Sequence, residues 1–380
     1  MYSCENIFNM GKSNLELVVE CDNFPYYEDD RAAYTENLNN YHAFKVSGYS
    51  ATLGYILNAV VEKFPWPKNS WNIDSNARTV TLVTPPNADP ALRSSLVAEA
   101  INEAVKQDKF EVLRGWRNEK YPVYGPGGEF LLDMERCASP LFGIVSYGAH
   151  MTGYTRDESG YKIWVPRRSK TKQTYPGLLD NTVAGGMCTD EIPFECIVRE
   201  AMEEASLPED KVRATIAARG CVTYSHVRDA RAGGETGLIQ PEVEYVYDLE
   251  LDAETIPKPC DGEVEEFKLL SIPEVQEALA NGEFKPNCAT IMIDFFIRHG
   301  ILTAENEPDF LSIIAGLHRR LEYPTASHFF KRFEMAAIRP TASRLEWILR
   351  EIFLHGNTGS LNPCDSARVS VVTSVVPSSS

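Results

Sequence analysis

Positive charge is scarce in this chain of 380 residues, with 37 Lys and Arg against 54 Asp and Glu and a formal charge of −17. An acidic surface of this kind repels polyanions, which argues against nonspecific binding to nucleic acid or to an anionic membrane. Cysteine pairing is also missing: the nine cysteines are odd in number, scattered from Cys4 to Cys364, and contain no CxxC pair. They read as reduced thiols, not as a disulfide framework or a zinc cluster. Long apolar runs are lacking as well. The start, MYSCENIFNMGKSNLELVVE, has no continuous apolar core of signal-peptide length, and no stretch approaches a membrane span. The expectation is a soluble protein of the cytoplasm or nucleus, with neither nucleic acid nor membrane as partner. Any anionic ligand must be held by local cations or by metal.

What is present suggests two or three domains. Residues 13–139 read as a first α/β unit. Helical spacing runs through Leu53, Ile56, Leu57, Val60, Val61 and Phe64 up to Pro65, and again from Pro90 to Lys106 with Pro90 in the first turn. Thr79 to Val83, Phe110 to Leu113 and Tyr121 to Tyr124 are strand candidates. Nothing in this unit carries a catalytic signature, and Trp66, Trp71 and Trp116 read as core or contact residues. Residues 140–320 form a second unit, with strands expected over Leu141 to Tyr147, His150 to Tyr154, Tyr161 to Pro166, Leu178 to Val183, Val212 to Ala218, Cys221 to Tyr224 and Val243 to Leu251. Helices are expected near Val275 to Leu279 and Thr290 to His299. Residues 321–380 form an extension, helical over Ser343 to His355 and then an ill-ordered tail.

The chemistry concentrates between Gly185 and Leu207, GGMCTDEIPFECIVREAMEEASL. Phe194, Ile197, Val198, Ala201 and Ala205 recur at three- and four-residue steps and share one helical face, which goes to the core. Glu200, Glu203 and Glu204 gather on another side, where they repel one another unless a cation intervenes. Mg²⁺ takes a few carboxylates together with water and phosphate oxygens, so the triplet suits it, with Mn²⁺ as a substitute. Glutamate-rich helices are common, and the triplet alone is ordinary. The full spacing is not: Gly185, five residues, Glu191, seven residues, Arg199-Glu200-Ala201, one residue, Glu203-Glu204, one residue, Ser206-Leu207. Just upstream, Arg167, Arg168, Lys170 and Lys172 form a basic run in an otherwise acidic chain. With Gly185 and Gly186, Arg167, Arg168 and Lys172 are candidates for holding phosphate, arginine bidentately and lysine as a point charge. Glu263 or Glu244 could add a carboxylate to the metal.

That spacing resembles the Nudix box of the Nudix hydrolases, with Ser206 in place of the terminal glycine. A left-handed serine there costs roughly 1 kcal/mol. Beyond the box, GWRNEKYPVYG (Gly115 to Gly125), PLFGIVSYGAHMTGY, WVPRRSKTKQTYPGLLDNTVAGG, QPEVEYVYDLEL and DGEVEEF resemble the fungal and plant branch of that family named for thiamine pyrophosphokinase. The resemblance covers about Ser13 to Leu321. It implies an α/β/α sandwich with a mixed sheet, preceded by a smaller α/β domain. It also implies hydrolysis of a small organic diphosphate, above all thiamine-diphosphate-like compounds in oxo- or oxy-form, or oxidised nucleoside diphosphates such as 8-oxo-dGDP. By the same resemblance Glu200, Glu203 and Glu204 hold Mg²⁺, Glu204 or Glu203 serves as base, and Arg199 orients a neighbouring carboxylate. Isopentenyl-diphosphate isomerase is similar around Arg167, Arg168, Lys172, Pro176-Gly177 and Asp180, yet Asn181 to Gly185 has no acid-base cysteine. A diphosphate-binding module without catalysis is the reading of another class, and the intact glutamate set speaks against it.

Overall fold

Local signals account for most helices of the first unit. In the computed structural model, which describes residues 11–326 apart from 159 and 261, Ser13 and Glu16 form a reciprocal capping box at the start of α1 (Asn14–Cys21). Asp30 caps α2 (Arg31–Leu38) through the Ala33 N–H. Strands β1 (Tyr41–Val46) and β2 (Gly54–Leu57) precede α3 (Asn58–Lys63). The helix expected through Leu53 to Phe64 is therefore cut back to its second half, because Gly54 to Leu57 pairs antiparallel with β1 and that ladder outweighs helical spacing. Strands β3 (Trp71–Asp74) and β4 (Thr79–Leu82) complete a sheet of order β2-β1-β4-β3, in which β1 and β4 are parallel. Helix α4 (Pro90–Lys106) begins on an Asp89 cap with Pro90 in its first turn, and buries Val97, Ala100, Ile101 and Ala104.

Phe110 to Leu113 is not a strand; Glu111–Gly115 winds into a 3₁₀ turn instead. A hairpin follows, β5 (Lys120–Tyr124) with β6 (Phe130–Glu135), and α4 packs on β6. Phe44, Ile56, Trp71, Val80, Val97, Ile101 and Phe142 share one buried cluster. Trp71 lies inside it, Trp66 packs on it, and Trp116 is exposed.

Short helix α5 (Ser139–Phe142) replaces the first part of the strand expected at Leu141, and a single long strand β7 (Ser146–Asp157) takes the rest. Next come β8 (Gly160–Arg168), β9 (Val183–Gly186), α6 (Pro193–Ala205), α7 (Glu209–Thr215), β10 (Ala217–Val227), β11 (Ile239–Glu250), β12 (Val264–Ser271), α8 (Ile272–Ala280), α9 (Pro286–Arg298) and α10 (Phe310–Gly316). Leu178 to Thr182 is not part of β9, and Val212 lies on α7, where its side chain is buried, with β10 starting five residues later. The sheet runs β10-β11-β7-β8-β12, with β9 also paired to β7; β11 and β7 are parallel and the other pairs antiparallel.

Alternation along the strands sorts the two faces. Helix α9 lies on the face of Glu244 and Asp248, bonding the first through Asn287 and the second through Arg298. Helix α6 lies against the other, where Gly185 faces Glu200. The mixed sheet is thus layered between helices. Helix α1, placed in the first unit by the sequence reading of residues 13–139, packs in this core instead: Leu17, Val18 and Cys21 are buried with Val275, Phe295 and Ile313, and the helix packs on α9 and α10. Among the described residues no helix is long and apolar enough to cross a membrane. The helix expected over 343–355 and the tail beyond it lie outside the described residues.

Candidate active site

The acidic helix is built as its periodicity requires from Ile197 onward, whereas Phe194, expected on the same face, is only partly buried in the first turn, beneath Arg213. Ile197, Val198, Ala201 and Ala205 are buried, and each of the two larger side chains contributes about 1.5–3 kcal/mol of apolar burial. Ser206 ends α6 in the left-handed region with φ 53°; its N–H reaches the Met202 carbonyl and the Leu207 N–H reaches that of Ala201. This double bond pattern is the ending usually given to glycine, so the serine fills the glycine role at a conformational cost.

The three glutamates take different positions on the helix. Glu200 and Glu204 are buried and Glu203 is half exposed. Arg199 donates to Glu191 through two nitrogens at 2.8 and 3.1 Å, to Glu200 at 2.8 Å and to Glu203 at 3.0 Å. It therefore joins the loop acid to two of the helix acids. Glu204 accepts from the Ala184 N–H at 3.1 Å and stands 3.8 Å from the Lys172 ammonium. Burial, with repulsion from Glu200 added, raises the Glu204 carboxyl above the ordinary range, and burial draws Lys172 below its own. Glycine makes the approach possible. A Cβ on Gly185 would fall 2.0 Å from the Glu200 carboxyl carbon, and one on Gly186 would fall 1.7 Å from the Tyr121 hydroxyl oxygen.

These groups line one cavity of about 490 Å³. Lys172, Gly185, Gly186, Arg199, Glu200, Glu203, Glu204 and Glu263 all reach it. The basic run divides. Lys172 contacts Glu263, which also takes Arg117 at 3.3 Å. Arg168 lines the cavity, but its fork is occupied by Asp180 at 2.6 Å and by the carbonyls of Tyr175 and Thr174, so it shapes its own loop. Arg167 points elsewhere, donating to the Gly177 carbonyl beside Glu266 and Glu283, and does not line the cavity.

Beyond the glycines lies a second set of acids. Glu244 accepts from Tyr224 at 3.0 Å and Asn287 at 3.4 Å, faces the His150 imidazole at 3.5 Å, and among the described residues its Oε2 has no hydrogen bond. Burial raises Glu242, repulsion from Glu244 adds to it, and burial of Glu244 itself is outweighed by the charge of His150, which holds that carboxyl low. Of these, sequence reasoning named Glu244 alone. The period of two in Glu242-Val243-Glu244 was the available signal, since it sets both acids on one face of a strand.

A hard divalent cation suits this donor set. The α6 donors are all carboxylate oxygens, two of them buried beside each other at a repulsive cost, and Gly185 leaves room that a side chain would fill. Among the described residues no three carboxylate, imidazole or thiol groups stand together as a finished cage. Arg199 holds Glu200 and Glu203, while the Ala184 N–H and Lys172 hold Glu204.

Carboxylates for a cation, glycine at the approach and cations along the wall define a hydrolase of phosphoric anhydrides. Residues 15–146 match a domain of unknown function, DUF4743, and residues 148–288 match the NUDIX domain. Over 239 residues the chain is 43% identical to the uncharacterized protein YJR142W of Saccharomyces cerevisiae, covering 61% of this chain and 70% of that one. It is 36% identical to Nudix hydrolase 20, chloroplastic, and 34% identical to Nudix hydrolase 24, chloroplastic, both of Arabidopsis thaliana, over 57% and 55% of this chain. These matches span 56% and 54% of the plant proteins, little more than half their length. The chain belongs to the Nudix hydrolase family.

Proposed function

We propose that this protein is a Mg²⁺-dependent hydrolase that cleaves the diphosphate of a thiamine-diphosphate-like compound, within the branch of the family named for thiamine pyrophosphokinase. One observation carries the reading: the acids of α6, the glycine approach and the buried acids Glu242 and Glu244 share one cavity of a size suited to a small organic diphosphate. The anionic end of such a substrate belongs beside α6 and Lys172. A positively charged ring belongs by Glu242 and Glu244, where their carboxyl oxygens and the phenolic oxygens of Tyr224 and Tyr175 line the wall.

Glu200, Glu203 and Glu204 would hold the cation, with Mn²⁺ able to replace Mg²⁺. When bound it neutralises phosphate charge and lowers the pKa of a bound water. Arg199 fixes the carboxylates of Glu200 and Glu203 in place, so little reorganisation accompanies reaction. The attacking water gives its proton to a carboxylate, Glu204 or Glu203, as its oxygen bonds to phosphorus and the bridging oxygen leaves with the electron pair. Positioning and electrostatics supply most of the rate.

A panel of oxothiamine, oxythiamine, thiamine, nucleoside and sugar diphosphates, assayed for phosphate release with and without Mg²⁺, tests the proposal. Thiamine-type diphosphates should show the highest kcat/KM and no turnover after chelation. A clear preference for 8-oxo-dGDP would reassign the substrate, and diphosphate binding without turnover would make the protein a binding module.

A further inference from the structure

We propose that Arg136, supplied by the DUF4743 unit, binds the diphosphate of the substrate, so that the first unit completes the active site. The inference rests on the hydrolytic reading above and adds a residue to it.

The box loop is seated on the first unit. The Thr189 N–H and hydroxyl both donate to the Lys120 carbonyl of β5, at 2.8 and 3.1 Å. Tyr121, next along β5, lies where a side chain on Gly186 would otherwise sit. Arg136 follows directly on β6 and lays its guanidinium over the Tyr121 ring, 5.5 Å from the centroid. The same guanidinium carbon would be 3.4 Å from a Cβ on Gly186. An arginine of the first unit therefore hangs over the glycine approach of the second, in the cavity that Glu200 also lines.

Its bonding leaves it available. Arg168, Arg199 and Arg228 reach the same cavity, but each donates to three or more acceptors. Arg114 and Arg117 also line it, the first taken up through two nitrogens by Asp108 and the second paired with Glu263, and neither is set against Gly186 as Arg136 is. Among the described residues Arg136 hydrogen-bonds through its guanidinium to Glu119 alone, through Nη1 at 2.6 Å. That bond, with the Tyr121 ring beneath, fixes the plane of the fork, and its side chain keeps 32% of its surface open. A planar fork held on one side and open on the other is the geometry that takes two phosphate oxygens at once. A lysine at the same place would supply charge without the bidentate match.

The test uses the full chain as parent, Arg136→Gln and Arg136→Lys, with Lys106→Gln on the exposed surface of α4 as a control. Calorimetric titration with methylenediphosphonate in Mg²⁺ reads binding alone, and phosphate release from thiamine diphosphate reads KM and kcat. Arg136→Gln should raise Kd and KM at least about tenfold, a loss of roughly 1.4 kcal/mol, at the parental Tm. Arg136→Lys should recover part of this, and the control should match the parent. Parental Kd and KM in Arg136→Gln would overturn the proposal. If Arg136→Gln lowers Tm, Arg136→Lys decides: weakened binding at parental Tm supports the proposal, and parental binding overturns it. A parent that binds methylenediphosphonate through Arg136 but turns over no diphosphate keeps the proposal and sinks the hydrolytic reading. If the parent turns over thiamine diphosphate without binding methylenediphosphonate, the KM of Arg136→Gln decides alone, and a parent that neither binds nor turns over a diphosphate sinks both readings.

Discussion

Glu200 lies so close to Gly185 that a Cβ there would fall 2.0 Å from its carboxyl carbon. Gly185 is therefore glycine for space, since its backbone is not in the left-handed region. The obstructed group is the end of a flexible side chain, so Gly185→Ala would displace Glu200 and leave the backbone intact. The expected result is a fall in kcat/KM of about a hundredfold with little change in Tm, measured by phosphate release and thermal melting. Parental turnover would remove Glu200 from the site.

Glu203 is the exposed member of the triplet, held by Arg199 at 3.0 Å. Glu203→Gln keeps shape, removes charge and buries nothing new. Turnover should drop by at least about a hundredfold, while urea unfolding stays within about 0.5 kcal/mol of the parent. The converse, a destabilised protein at parental kcat, would make the residue structural.

The parts legible in the sequence are those set by local period. Ile197, Val198, Ala201 and Ala205 announce a helix and its buried face, and Asp89-Pro90 announces the start of α4. Gly54 to Leu57 misleads because its apolar spacing suits a helix while its neighbour β1 offers a ladder. Val212 misleads because a short segment has no period long enough to separate helix from strand. Arg136 and Tyr121 were silent for a different reason: their relation to Gly186 exists only after the hairpin has docked on the box loop. Arg167 and Arg168 show the reverse, a conspicuous basic run whose charges the fold turns inward or away.

Ser206 carries a left-handed φ of 53° that glycine adopts without penalty. Ser206→Gly should stabilise the chain by roughly 1 kcal/mol, raising Tm by about 2 °C, and leave kcat/KM at the parental value. A lower Tm would show that the serine earns its place through a contact of its own.

Asp248, on the face of the sheet away from α6, gathers Arg298, Arg219 and His299 around a carboxylate whose side chain is 1% exposed. Burial raises its pKa, but bonds to His299 and Arg298 outweigh burial and hold it below the ordinary value. A carboxylate depressed on folding contributes stability that is fully present above its unfolded pKa, about 3.9, and is lost as pH falls through the folded value. Asp248→Asn removes the charge and leaves the partly buried Arg298, still held by Asp294, beside a neutral amide. The variant should be less stable by about 3 kcal/mol at pH 7, and that gap should narrow as pH drops below about 4. Urea unfolding of parent and variant across pH 2.5 to 8 measures the gap directly. A difference that stays constant into acid would mean that Asp248 acts through packing and hydrogen bonding alone, with no share in the acid lability of the fold.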